Sequence, residues 1–236
     1  MDIMSFLKRI YYSYIGHVYW LAYQTEQRRI LGVRLSTLIR WAAFLLPLVA
    51  LWQGWGSVAL VVSLVVFLLV QWTYWRARRA GYFRFVAASD QAVPEGELEV
   101  LPPYERVPLR ATGTFSVKEY DKNVLLQRAE YWQVPLGEHA VMVEHAPGRY
   151  VYQFFSAATL RQIQQGWLLH GPRSQAALAI SFLSNWEAQG DTDQIRFFGD
   201  APPAGALQTI YFSFDSTQDE RAVWHNIVHD ARRVRS

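Results

Sequence analysis

The sequence predicts a membrane protein in two parts: a two-span α-helical hairpin, and a mainly β domain of barrel or sandwich type capped by a C-terminal α-helix. Three observations carry this expectation. Trp41 to Trp75 contains no Asp, Glu, Lys or Arg. From residue 107 onward the apolar pattern breaks into short runs rich in Val, Leu, Tyr and Phe, separated by turn signals. The last twenty residues or so return to helical spacing, with one apolar stripe.

Residues 1–34 open with Phe6, Leu7, Ile10, Tyr11, Tyr14, Ile15, Val18 and Ala22 at helical intervals, with Ser5, Lys8, Arg9 and Ser13 on the other side. This is an amphipathic helix. Two placements satisfy its apolar face: flat in the headgroup layer of a membrane, or docked on a partner subunit or on the protein's own domain. A transmembrane span here is disfavoured, because the stretch Ile10 to Tyr23 is short and contains His17.

Residues 35–76 hold the charge-free run. As one helix, 35 residues would be about 52 Å long at ~1.5 Å per residue, against a hydrocarbon core of about 30 Å. Trp52-Gln53-Gly54-Trp55-Gly56-Ser57 breaks the run near its middle. The expected spans are Leu35 to Trp52, which contains Pro47, and Ser57 to Trp75. A buried hairpin in a soluble protein is the alternative, but so long an uncharged run is hard to hide in a small domain. The anchor residues are Trp41, Trp52, Trp55, Trp72 and Trp75, whose rings suit the interface, together with Arg40, Arg76, Arg78 and Arg79. Arg28, Arg29 and Arg34 precede the run as well, Arg84 follows it, and the turn between the spans is uncharged. The positive-inside bias then places both termini in the cytoplasm, in a multi-pass protein of the inner membrane. No cleaved signal peptide is expected, since the apolar run starts too late.

Residues 77–106 form a linker, first basic, then rich in Pro and Glu: Pro94, Pro102 and Pro103 lie among Glu95, Glu97, Glu99 and Glu105. Such composition favours an extended chain, with a short strand near Leu98 to Leu101. Residues 107–236 read as strands at Leu109–Val117, Val124–Val134, His139–His145, Arg149–Phe155, Gln165–His170, Ala177–Leu183, Gln194–Phe198 and Gln208–Phe214. A helix then runs from Thr217 to Arg233, with Ser216 as N-cap and Asp219 completing a variant capping box. Its stripe is Val223, Trp224, Ile227, Val228 and Ala231. Trp224, Ile227 and Val228 are the expected structural cap.

The stretch Thr209-Ile210-Tyr211-Phe212-Ser213-Phe214-Asp215 followed by Ser216-Thr217-Gln218-Asp219-Glu220-Arg221-Ala222-Val223-Trp224 resembles the end of pleckstrin-homology domains. There, a last strand passes through a polar turn into a capping helix with a buried tryptophan, and Trp224 matches it. The match covers about twenty-five residues, and Ala157 to Gln175 is longer than the family pattern needs. The resemblance implies a cytoplasmic binding module and not an enzyme. In that family phosphoinositide sites use closely spaced basic residues on the first hairpin. Here Lys118, Lys122 and Arg128 are interleaved with Glu119, Asp121 and Glu130, so a protein surface is the better ligand.

Composition narrows the function classes. There is no Cys, which excludes disulfides, thiolate nucleophiles and cysteine metal sites. Arginine outnumbers lysine twenty to three, a codon bias that points to a prokaryotic source. The net charge of +3 conceals +8 in residues 1–84 and −5 in residues 85–236. The basic part suits anionic lipid, while the acidic part argues against nucleic acid as a partner.

Candidate chemistry is sparse. His225 and His229 share a helix face at zinc-ligand spacing, beside Asp230, but Asn226 stands where HExxH needs a Glu and no third ligand is evident. Ser156, Ser174, Ser181 and Ser184 lack a nucleophile-elbow pattern. His139, His145 and His170 have no evident nucleophile or orienting acid. Gly166 and Gly171 bracket a strand, not a phosphate-cradling loop. The aromatic residues Trp132, Tyr150, Tyr152, Phe154, Phe155, Trp167 and Trp186 fall in or beside strands; an exposed one would anchor a partner. No catalytic residue, cofactor or metal is expected. The expected role is a membrane-tethered, non-enzymatic scaffold or accessory subunit that holds a protein partner at the cytoplasmic membrane face; the expected partners are membrane lipids through the anchor and a protein partner or a larger membrane complex. The competing readings are a lipid-sensing PH-like domain and an enzyme acting on a lipid or envelope substrate.

Overall fold

The charge-free run folds into two helices in a computed structural model that describes residues 3–88, 100–102, 105–117, 120–134, 137–145, 148–171, 173–183, 195–197 and 205–235. Helix α1 spans Ile3–Gln27, and a two-residue hairpin, β1 (Arg29–Ile30) with β2 (Val33–Arg34), leads into α2 (Leu35–Trp52) and then α3 (Ser57–Arg79). Both α2 and α3 are long and apolar enough to cross a membrane, and only 22% and 11% of their apolar windows are buried. A core helix of a soluble protein would hide most of that surface. Pro47 lies within α2 without ending it. The break between the spans comes at Gly54 and Gly56, both at positive φ.

The chain divides into two units: Met1–Arg84 with Leu169–Ser174, and Phe85–Leu168 with Gln175–Ser236. In the first, the residues of α2 that become buried are Ser36, Ala43, Pro47 and Ala50. Their spacing of seven, four and three makes a seam along one face of the helix. The second half of α1 packs on α3 through Ile15, Tyr19 and Ala22 against Tyr74 and Ala77. Polar contacts fix the same junction. Thr25 Oγ1 donates to the Ala22 carbonyl at 2.9 Å, so Tyr74 Oη donates to Thr25 Oγ1 at 2.8 Å. The Gly171 amide donates to the Gly16 carbonyl at 3.2 Å, an approach that leaves no room for a side chain on residue 16 (a Cβ there would lie 2.8 Å from the Gly171 carbonyl oxygen). The first half of the expected amphipathic face is different: Leu7, Ile10, Tyr11 and Tyr14 are exposed. The stripe is therefore divided between intramolecular packing and open surface.

The second unit is built on one sheet with strand order β10-β7-β6-β5-β4-β11-β9-β8-β3. The strands are β3 (Arg84–Ala87), β4 (Val107–Val117), β5 (Tyr120–Val134), β6 (Glu138–His145), β7 (Gly148–Ser156), β8 (Leu160–His170), β9 (Arg173–Leu183), β10 (Ile195–Phe197) and β11 (Leu207–Ser213). β4 to β7 form an antiparallel meander, β11 inserts antiparallel between β4 and β9, and β10 runs parallel to β7. Every strand expected from Leu109 onward is present, several with longer ends. Two features depart from expectation. β3 falls within the expected linker, and no barrel closes among the described residues, because the strand order is open at β10 and β3. The expected strand at Leu98 to Leu101 falls largely outside the described residues.

Helix α4 (Thr217–Arg235) lays Val223, Trp224 and Ile227 into the same core as Leu109, Phe155, Ile180 and Phe212. Ser216 caps it, its Oγ accepting the Gln218 amide at 3.1 Å. Asp219 and Glu220 occupy the first turn, where the helix dipole favours negative charge.

Candidate functional site

Two groups of functional side chains arise, one in each unit. In the first unit the antiparallel pairing of α2 and α3 sorts the residues expected to serve as an anchor. Trp41, Trp72 and Trp75 gather toward the end where α1 joins, and Trp52 and Trp55 sit at the turn; all five are exposed. The Arg76 guanidinium lies over the Trp72 ring at 5.0 Å and that of Arg79 over Trp75 at 5.4 Å, which pairs each cation with a ring face. Arg40 Nε donates to Gln71 Oε1 at 2.7 Å, linking the two spans. Arg78 Nε and Tyr82 Oη both donate to the Glu26 carboxylate at 2.6 Å, joining α3 to α1. Burial, reinforced by this bond to Glu26, pushes the Tyr82 phenol well above its ordinary range.

In the second unit β5, β6 and α4 bring together Tyr131, His139, Asn226 and Asp230. His139 Nε2 lies 3.1 Å from Asp230 Oδ2 and His139 Nδ1 lies 2.6 Å from Tyr131 Oη. Asn226 Nδ2 donates to Tyr131 Oη at 2.7 Å. The imidazole stacks on Phe155 at 4.7 Å and nearly parallel to Tyr131 at 5.8 Å. Position follows from local structure. The register of β6 against β7 shifts between His139 and Ala140, and His139, Ala140 and Val141 are buried in succession, breaking the usual alternation. On α4, Asn226 and Asp230 are four apart and flank Ile227 on the buried side. Gly137, at φ +72, admits the carboxylate: a Cβ there would lie 3.4 Å from Asp230 Oδ2.

The proton count of this cluster closes with a neutral imidazole. Nε2–H donates to Asp230, Nδ1 accepts the Tyr131 hydroxyl proton, and Tyr131 Oη accepts from Asn226. Burial holds the His139 pKa below its ordinary value, with the Asp230 carboxylate pulling the other way. Burial likewise pushes the Tyr131 phenol far up. Tyr131, His139 and Asn226 are at most 1% exposed. These groups have the identities of a general base and its orienting acid, with the imidazole buried and the Asp230 side chain 14% exposed. The bonds join α4 to β5 and β6.

The other sequence candidates scatter. His225 and His229 stack at 6.3 Å, and no group of three His, Cys, Asp or Glu able to hold a metal occurs among the described residues. His170 Nδ1–H donates to the Tyr82 carbonyl at 3.3 Å in the first unit. Thr159 Oγ1 accepts the Ser156 amide at 2.9 Å, and Ser181 pairs with Thr209 at 2.8 Å. Ser174 is exposed. Trp132 is buried under Arg106, whose guanidinium lies 4.9 Å from its ring. Tyr152 and Phe155 are core residues, while Trp167 is exposed on β8. Arg128 is exposed on β5. Lys118, Glu119, Ser184 and Trp186 lie outside the described residues, as do the side chains of Lys122, Asp121, His145, Tyr150 and Phe154. Trp224 and Ile227 are buried and Val228 partly so.

Compared with known proteins, the chain matches no family model, no curated protein and no solved structure.

Proposed function

We propose that this protein is a membrane-tethered interaction module: α2 and α3 anchor it, and its β-rich head holds a protein partner at the cytoplasmic face, as a scaffold or accessory subunit. The observation that supports this most is the contrast between the two units. The helices leave their apolar surface outward, with indole rings and arginines at the ends. In the head, the side chains best suited to acid-base chemistry are spent on internal bonds. On this reading the head is PH-like. Strand β11, the polar turn at Asp215 and Ser216, and α4 with its buried Trp224 favour it. Confinement by a tether raises effective concentration, so a modest interface suffices. Trp167 and Leu207, exposed on β8 and β11, offer apolar contact area for such an interface.

The test uses the full chain in its native membrane. Alkaline carbonate should leave it in the pellet, and mild detergent extraction followed by native mass measurement should recover it with a second protein. Release by carbonate would overturn the anchor, and recovery solely as a monomer would overturn the partner. Protease added to sealed inside-out vesicles should cut the head, and intact right-side-out cells should protect it.

A further inference from the structure

We infer that the α1-proximal end of the helix hairpin is a binding groove for a single phospholipid with an anionic headgroup, its phosphate held by Arg40, Arg78 and Arg79. Two cavities on the first unit share Arg40 and Gln71 as walls. One, of about 390 Å³, is bounded on its other sides chiefly by Trp41, Phe44 and Phe67. The other, of about 520 Å³, is bounded by Tyr74, Trp75, Arg78 and Arg79. Apolar rings therefore line one end and guanidinium groups the other, which is the polarity of a lipid lying along the hairpin. Arg40 is at the boundary. It stands in the second turn of α2, and its Nε is held by Gln71 of α3 at 2.7 Å, so its position is set before any ligand arrives.

Charge favours the same occupant. Three arginines and no carboxylate line the polar cavity. Glu26, the acid bonded to Arg78, is itself shared with Tyr82 and neutralises one of the three. Arg79 lies over the Trp75 ring at 5.4 Å, which orients a planar guanidinium whose N–H edge suits phosphate oxygens. Basic pockets between helices on the cytoplasmic side of a membrane recognise anionic headgroups by this chemistry. The inference rests on the hairpin lying in a bilayer, as proposed above, and not on the protein partner.

The test is native mass spectrometry of the full chain released from nanodiscs of phosphatidylcholine with one-fifth phosphatidylglycerol. We expect one phosphatidylglycerol retained per chain in preference to phosphatidylcholine. R40Q and R79Q should each lower retention about five-fold, the ratio that about 1 kcal/mol per arginine gives. R76Q removes the same charge outside the groove and should leave retention within two-fold. Equal retention of both lipids, or equal loss in R76Q, would overturn the inference, the latter by reducing it to diffuse attraction. Inorganic phosphate at millimolar concentration separates the sources: displacement of the lipid by phosphate alone would overturn the role of the apolar half. R79Q keeps the test decisive if R40Q fails to fold, since Arg79 lies over Trp75 of its own helix, whereas Arg40 bonds across to α3. Failure of the unaltered chain to enter nanodiscs would sink the anchor and the groove together, whereas entry without lipid selection would sink the groove alone.

Discussion

His139 Nε2 sits 3.1 Å from Asp230 Oδ2, so a contact across ninety-one residues of sequence fastens α4 to β6. Its pH dependence has a definite sign. Burial holds the folded-state pKa of His139 below the unfolded value, which is about 6.5. The unfolded chain then binds the proton first as pH falls. This histidine's contribution is fully present above about pH 6.5 and is lost as pH drops toward the folded-state value. Asp230→Asn keeps an acceptor for Nε2–H but removes the charge that opposes the depression. Near pH 8 the variant should lose no more than about 1.5 kcal/mol, the scale of one hydrogen bond. At pH 5 the loss should be larger. Thermal unfolding of both proteins across this range checks it; a loss that shrinks on acidification would contradict the neutral-imidazole assignment.

The Tyr131 hydroxyl joins His139 to Asn226, with bonds of 2.6 and 2.7 Å. Tyr131→Phe leaves two buried polar groups without their common partner, and each such group costs about 1–3 kcal/mol. Asn226→Ala removes one of those bonds. The double variant should be less destabilised than the sum of the singles, by about 1 kcal/mol. A double-mutant cycle in urea measures this coupling, and strict additivity would mean that the cluster is not a connected network.

Gly166 on β8 lies under β3. A Cβ there would meet the Val86 carbonyl oxygen and come within 2.7 Å of Phe85 Cζ. Gly166→Ala should therefore detach β3 from the sheet while the rest of the head survives. The Ala88 amide, which donates to the Gln165 carbonyl at 2.9 Å, reports this directly. Its hydrogen exchange should accelerate by at least ten-fold, with the meander β4–β7 unchanged. Unaltered protection at Ala88 would show that the strand yields without separating.

Trp224 is buried, and its Nε1 reaches no acceptor among the described residues. Shape, more than hydrogen bonding, is what its ring supplies. Trp224→Ala should cost about 3–5 kcal/mol through the cavity it leaves. Trp224→Phe should cost about half as much or less, since the indole N–H has no bond to lose. Equal losses for the two variants, measured by denaturant unfolding, would indicate a partner for Nε1.

Most elements were legible because each has a local cause. The helices α2 and α3 follow from the absence of charge and the Gly54–Gly56 break, and the strands from β4 onward from alternation and turn residues. β3 was not, since Arg-Phe-Val-Ala beside a basic helix end has no signal of its own; the sheet recruits it through Gly166. Sheet order is equally non-local: β11 enters between β4 and β9 for reasons spread over three strands. The same limit hid the Tyr131–His139–Asp230–Asn226 cluster. One trace was present in the chain. Asn226 and Asp230 are polar residues set four apart beside Ile227 in a stripe that must be buried, and such residues require partners. Which partners they find depends on the strand register, where His139 breaks the alternation.

Among the described residues the sheet ends on β10, three residues long, and on β3, four residues long. A strand edge is a template on which another copy of the chain can polymerise, and the hazard grows with the length of unpaired backbone offered. β10 pairs with only Val151–Gln153 of the nine-residue β7, so each of these short edge strands presents few ladder positions of its own to a neighbouring copy.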